Sequence, residues 1–155
     1  MSQFNDRVVA EFRENGGRVD SAGFGTSLVL LRTRGSRTGL PRVNPALSLR
    51  DGDAWLVVAS AAGAPLDPAW AINLRAAPDV VIEVAGAEGV EVVPVTAVEL
   101  FGAEHAAAFA RFVARSPAFT AYQDRAGRRL PVMRLEPRSE DHLTGAAAGA
   151  DREGR

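Results

Sequence analysis

Phe4, Val8 and Phe12 recur every four residues, with Val9 beside them and charges on the other faces, until Asn15-Gly16-Gly17 interrupts the run. That period predicts an amphipathic helix of about three turns, stopped by residues that tolerate a left-handed backbone. Its apolar face either docks on the parent domain or serves as a lid over a ligand or a contact with a membrane surface; few positive charges on the polar face argue against strong membrane binding. Ser27–Arg34 then reads as a strand, Gly35–Pro41 as a turn, and Arg42–Arg50 as a second strand with Val43, Leu47 and Leu49 apolar. Asp51-Gly52 signals a hairpin. Asp53–Ser60 is nearly continuous apolar sequence, as expected of a central strand covered on both faces.

Ala61–Leu66 is a loop of small residues. Asp67 stands as an N-cap with Pro68 at the first helical position, and Pro78 stops the helix Pro68–Ala77. Val80–Val84 and Val90–Val98 read as strands about a Gly/Ala-rich turn, Ala103–Arg115 and Pro117–Gln123 as helices, and Leu130–Glu136 as a last strand. The sum is an α+β, mainly β chain of about six mostly antiparallel strands, with a helix inserted after the third, which suggests a small barrel with peripheral helices. One domain over residues 1–137 is expected, followed by a polar, patternless and disordered tail over 138–155.

Composition narrows the chemistry. The 155 residues include no cysteine, so disulfides, iron–sulfur clusters, thiolate nucleophiles and CxxC zinc sites are excluded. All 18 basic residues are arginine, which excludes a P-loop and a Schiff-base lysine. His105 and His142 are the only histidines and no GxSxG is present, so no metal site is expected and a serine hydrolase is disfavoured. Gly23-Phe24-Gly25 precedes a strand rather than following one, and reads as a turn. No apolar run approaches ~18 residues, so no integral membrane segment is expected. The N-terminal stretch carries Asp6, Arg7, Glu11 and Arg13 within its apolar pattern, which is no leader peptide, and a cytoplasmic protein is expected by default.

The formal net charge of −1 hides a segregation. Ser27–Arg50 holds five arginines (Arg32, Arg34, Arg37, Arg42, Arg50) and no acid, while Ala76–Ala110 holds six acids and no base. Either the two stretches neutralise each other across paired strands or the basic one receives an anion. Within it, Gly35 and Gly39 let backbone N–H groups converge as in an anion nest, Ser36 and Thr38 add hydroxyls, and Arg37 and Arg42 add fork-shaped donors. A phosphate or a string of carboxylates suits that set; so does a plain solvated hairpin. Nucleic acid is a weaker candidate, because aromatics are only 6% of the chain and the rest of it is acidic. A second segment, Ser60-Ala61-Ala62-Gly63-Ala64-Pro65, would let a flat ring approach the backbone. Trp70 either walls that ring or packs in the core; Asn73, one turn on, either shares its helix face or caps the helix end.

Five motifs stand in order: Phe12-Arg13-x-Asn15-Gly16-Gly17, Gly35-x-Arg37-Thr38-Gly39-x-x-Arg42-x-x-Pro45, Ser60-x-x-Gly63-Ala64-Pro65, Pro68-Ala69-Trp70-x-x-Asn73-Leu74-Arg75-Ala76-x-Pro78, and Arg129-x-Pro131-Val132. Together they resemble the deazaflavin (coenzyme F420)-dependent nitroreductase-like oxidoreductases, over about Asn5 to Pro137. The resemblance implies a split β-barrel, FMN-binding-like, and a cofactor with one phosphate and an oligoglutamate tail. It implies that the Gly35–Arg42 turn (Gly35, Ser36, Arg37, Thr38, Gly39 and Arg42) holds the phosphate, with Ser36 where the family usually has Arg, and that Pro45 is a further cofactor-binding residue. It places Ser60, Ala61, Ala62 and Gly63 along the deazaflavin, Trp70 and Asn73 beside it, and Tyr122 at the substrate pocket. Ser60 or Tyr122 is then the proton donor or orienting group. The implied activity is hydride transfer from reduced F420 to an activated C=C, quinone, enone or nitro group of a small hydrophobic acceptor, by a monomer or homodimer. The alternatives are an FMN-binding split-barrel oxidoreductase and a non-catalytic F420 carrier.

Overall fold

Six strands form, at Leu28–Arg34 (β1), Pro41–Asp51 (β2), Ala54–Val58 (β3), Asp79–Gly86 (β4), Gly89–Glu99 (β5) and Val132–Pro137 (β6). The computed structural model describes residues 3–21 and 23–138. In it the strands close a barrel in the order β1-β2-β3-β6-β5-β4, and every neighbouring pair is antiparallel. Four helices surround it: Gln3–Glu14 (α1), Ala69–Ala76 (α2), Gly102–Arg115 (α3) and Ala118–Ala126 (α4). These are the expected elements, with ends shifted by a few residues.

The alternation of β1 shows how the barrel sorts its side chains. Val29 and Leu31 point inward to meet Trp55, Val57, Ile82, Val95, Met133 and Leu135, and α2 adds Trp70, Ala71 and Leu74 to the same core. Leu28 and Leu30 point outward, yet both are buried, because α1 lays Val8, Val9 and Phe12 over them. Beyond the reach of α1 the outward positions of β1 become Arg32 and Arg34, both exposed. β3 is buried at all five positions for the same reason, with Leu56 and Val58 facing Phe112, Phe119 and Leu130 under α3 and α4.

The helix α1 therefore docks on its own barrel, and Phe4, expected in its apolar stripe, lies beyond the contact and is half exposed. Gly16 and Gly17 stop α1 with positive φ. Gly17 must also lack a side chain, since a Cβ there would stand 2.5 Å from Ala85 Cα of β4. At the other end of the chain Arg138 is still anchored, its N–H donating to Pro94 O at 2.8 Å. The expected tail, from residue 139 on, lies outside the described residues.

Glu83 of β4 faces out of the barrel but is only 2% exposed beneath α1. It accepts from Arg13 Nε (3.0 Å) and Arg13 Nη2 (2.6 Å) of α1, and from Arg32 Nε of β1 (2.8 Å). Burial pushes its carboxyl up, but the two guanidinium groups outweigh that and hold it below the usual carboxylate range. A depressed folded-state pKa gives stability that is complete above the unfolded value, about 4.3, and is lost as the pH falls through the folded one. Glu83→Gln is expected to lower stability at neutral pH by roughly 1–3 kcal/mol. Melting curves of the two proteins should converge as the pH falls below about 4; a constant gap down to pH 3 would refute this role.

Candidate functional site

The turn between β1 and β2 is a tight structure. Gly35 N–H donates to Leu40 O and Gly39 N–H to Gly35 O, both at 2.8 Å, and Leu40 N–H reaches Thr38 Oγ1 at 3.2 Å. Asn73 of α2, buried at 4% exposure, pins this turn from below. Its Oδ1 accepts Ser36 N–H (3.0 Å) and its Nδ2 donates to Thr33 Oγ1 (3.1 Å). Both ends of the Asn73 side chain are thus committed to protein groups, and its work is to hold the turn rather than to cap α2. Arg34 donates to Gly39 O and Arg42 to Pro41 O. Among the described residues Arg34, Arg37 and Arg42 meet no carboxylate, whereas Arg32 pairs with Glu83. Neutralisation between the two charged stretches is therefore confined to that pair, and the turn keeps its positive charge.

The loop after β3 is more unusual. A single 3-10 turn, Ala61–Gly63, places Ala61 at φ 46° and Ala62 at φ 54°, in the left-handed region. For a residue with a Cβ this costs roughly 1–2 kcal/mol each. Gly63 N–H closes the turn on Ser60 O at 2.8 Å. It is the first amide the turn itself uses, so the N–H groups of Ser60, Ala61 and Ala62 have no partner within it. Gly63, at φ +84°, rests against α4, where a Cβ would stand 3.0 Å from Tyr122 O.

Two arginines restrain this loop. Arg125 donates to Ala62 O (2.8 Å). Arg128 donates to Leu66 O (3.0 Å) and Ala64 O (3.1 Å), lies 3.5 Å from both Ala59 O and Ser60 O, and pairs with Asp67. Asp67 also accepts from Arg75 at 2.8 Å, and Arg75 and Arg129 both donate to Glu99. The hydrogen bond from Arg75 holds the Glu99 carboxyl below its ordinary value. Asp67 does not cap α2 as expected: Pro68 occupies the cap position with no side-chain bond, and the Asp67 carboxylate is drawn to the guanidinium groups instead.

Five expected site residues share one cavity of about 190 Å³: Pro45, Ser60, Ala61, Ala62 and Trp70, joined by Ala46, Leu47, Val58 and Phe119. Trp70 packs in the core, at 8% exposure, and also lines this cavity. Tyr122 is one layer back, its ring edge-on to Phe119 with centroids 5.6 Å apart. Arg42 lines a second cavity of about 330 Å³ with Arg32, Arg34, Val43 and the start of β4. Arg37 stands exposed on the turn and lines neither cavity. β2 runs past both, Pro41–Val43 on one and Pro45–Leu47 on the other. Sequence reasoning missed Arg125 and Arg128; the Arg128-Arg129 pair just after Gly127 was the available signal. His105 is structural, with Nε2 2.7 Å from Leu130 O.

The closed six-stranded antiparallel barrel is that of the split-barrel, FMN-binding-like reductases. The model of the F420H(2)-dependent quinone reductase family matches residues 5–137, and the chain belongs to that family. Membership makes it an oxidoreductase that works with coenzyme F420. It is 40% identical over 116 residues to an F420H(2)-dependent quinone reductase of Mycobacterium tuberculosis (strain ATCC 25618 / H37Rv), covering 71% of this chain and 73% of that one. Among solved structures, an F420-H2 dependent reductase superposes with TM-score 0.62 at 32% identity, over 71% of this chain and 94% of the other. Another, described as a domain-swapped dimer, gives TM-score 0.64 at 27% identity, over 84% and 95%. Among the described residues no helix is long and apolar enough to cross a membrane.

Asn73→Ala removes the tie between α2 and the turn, leaving Ser36 N–H and the buried Thr33 hydroxyl without that partner. Stability should fall by about 1–3 kcal/mol. Amide exchange, followed by NMR, should quicken at Ser36 while the β4–β5 hairpin stays protected. Unchanged exchange at Ser36 would mean the turn does not depend on Asn73.

Proposed function

We propose that this chain reduces quinone-type acceptors, and that its cofactor lies along β2 with its phosphate at the basic turn and its ring in the cleft beside Trp70. The observation that carries this reading is that one strand, β2, runs from unneutralised guanidinium groups at one cavity to a second cavity lined by Ser60, Ala61 and Ala62, whose amides are unused by their own turn. Arg42 and Pro45, three residues apart on β2, are separated by about 10 Å of strand. The residues fit F420 through charge: the guanidinium groups of Arg34, Arg37 and Arg42 suit a phosphate and a polycarboxylate tail, whereas the expected nest of Gly35 and Gly39 amides does not form, because the N–H groups of Gly35, Ser36, Gly39 and Leu40 are spent on partners within the protein. FMN offers the phosphate but no polycarboxylate for the arginines to meet.

Reduced F420, when bound, supplies a hydride, and the organic chemistry of that transfer is the cofactor's own. The chain's part is placement. Leu47, Val58, Trp70 and Phe119 keep water from the cleft and suit a small hydrophobic acceptor. The amides of Ser60, Ala61 and Ala62 would stabilise negative charge that develops on the acceptor oxygen. Ser60, in the cavity, donates a proton through Oγ or orients the water that does. Tyr122 acts from behind, by fixing Phe119. Enones, activated C=C groups and nitroaromatics are further acceptors of the same polarity, and the neighbour described as a domain-swapped dimer makes a homodimer as natural as a monomer.

Titration with F420 and with FMN, followed by loss of F420H2 absorbance in the presence of a quinone, tests this reading. Arg37→Ala and Arg42→Ala should each weaken F420 binding by roughly 1–3 kcal/mol without unfolding the domain. Tight FMN binding with none for F420 would overturn the cofactor assignment; F420 binding without turnover of any acceptor would make the protein a carrier.

A further inference from the structure

The loop from Ala59 to Leu66 is held by more than its own turns. The carbonyls of Ala59, Ser60, Ala62, Ala64 and Leu66 all face guanidinium groups of Arg125 or Arg128. Ser60 O and Ala61 O also close the 3-10 turn with Gly63 and Ala64 N–H. No peptide bond in the described chain is cis. In a trans peptide the carbonyl and the next residue's N–H point opposite ways. Drawing Ala59 O and Ser60 O toward Arg128 therefore turns the N–H groups of Ser60 and Ala61 away from it. Arg128 does not line the 190 Å³ cavity; Ser60, Ala61 and Ala62 do.

Ala61 and Ala62 are exposed, and a connection with no other duty would relax out of the left-handed region. The guanidinium that opposes this relaxation is itself fixed. It is part-buried, pairs with Asp67, and Asp67 is clamped in turn by Arg75. We propose that Arg128 is a positioning residue for the reaction: through Asp67 and the carbonyls of Ala59–Leu66 it aims the free amides of the cleft at the deazaflavin ring. This rests on the F420 reading given above, and it concerns the ring end of the cofactor, whereas Arg42 concerns the phosphate end.

The two ends separate experimentally. F420 and a deazaflavin riboside lacking both phosphate and tail are titrated, by fluorescence, into wild type, Arg128→Ala, Arg128→Lys and Arg42→Ala. Arg128→Ala should lose about tenfold or more in affinity for both ligands. Arg128→Lys, which keeps the charge but not the fork, should fall between it and wild type. Added guanidinium ion should restore part of the loss in Arg128→Ala and have no such effect on wild type. Arg42→Ala should lose affinity for F420 alone. Riboside affinity within about twofold of wild type in Arg128→Ala overturns the proposal. Should that variant fail to fold, Arg128→Lys decides: wild-type riboside affinity overturns the proposal, and a severalfold loss with an unchanged melting midpoint supports it. If wild type itself binds neither ligand, the F420 reading fails and this inference falls with it, an outcome distinct from failure of Arg128 alone.

Discussion

Pairing of β1 along both its edges is the constraint from which the rest follows. It closes six strands into a barrel with no free edge, so backbone donors and acceptors are satisfied within the sheet. It also packs the middle of the interior with side chains, Val29, Leu31, Trp55, Val57, Ile82, Val95, Met133 and Leu135. The two connections proposed to bear the chemistry are the β1–β2 turn and the loop after β3, and each is stiffened by a polar side chain from a distant element, Asn73 in one case and Arg128 in the other.

The two stiffeners differ in character. Asn73 is neutral, nearly buried and satisfied at both ends, which fixes geometry without altering the charge of the basic turn. Arg128 brings a permanent cation close to the carbonyls of the cleft, so it shapes the backbone and biases the local potential together. Its charge is offset by Asp67, and the chain Asp67–Arg75–Glu99–Arg129 continues alternating sign across the surface. An all-arginine complement suits such a network, because a guanidinium can bridge two carboxylates in one plane, as Arg75 does.

Most of the fold was legible in the chain because the connections between the strands are marked by Gly, Pro and Asp. β3 announced its central place through five consecutive apolar residues, and Gly16-Gly17 announced the end of α1. For the candidate site, the motifs marked two segments, which the structure shows as a turn pinned by Asn73 and a strained 3-10 turn beside a cavity. What they left out was long-range. Whether Asp67 caps a helix or pairs with a guanidinium depends on where Arg128 lies, 61 residues away, and no local rule carries that. Phe4 fits the helical stripe as well as Phe12 does, and only the extent of the barrel beneath decides that one is covered and the other is not. Tyr122 was placed at the pocket, yet Phe119, three residues earlier, is the ring that reaches the wall.

The order of strands has a consequence for how the protein comes into being. β3 bonds to β6, and the guanidinium that holds the cleft precedes β6 by only a few residues. A nascent chain that has finished β1–β3 owns the basic turn but neither its pin from α2 nor the far wall of the cleft. The binding surface is thus completed last, by contacts of high sequence separation that form slowly. A coenzyme that binds only the finished barrel would stabilise it by mass action once closure is complete.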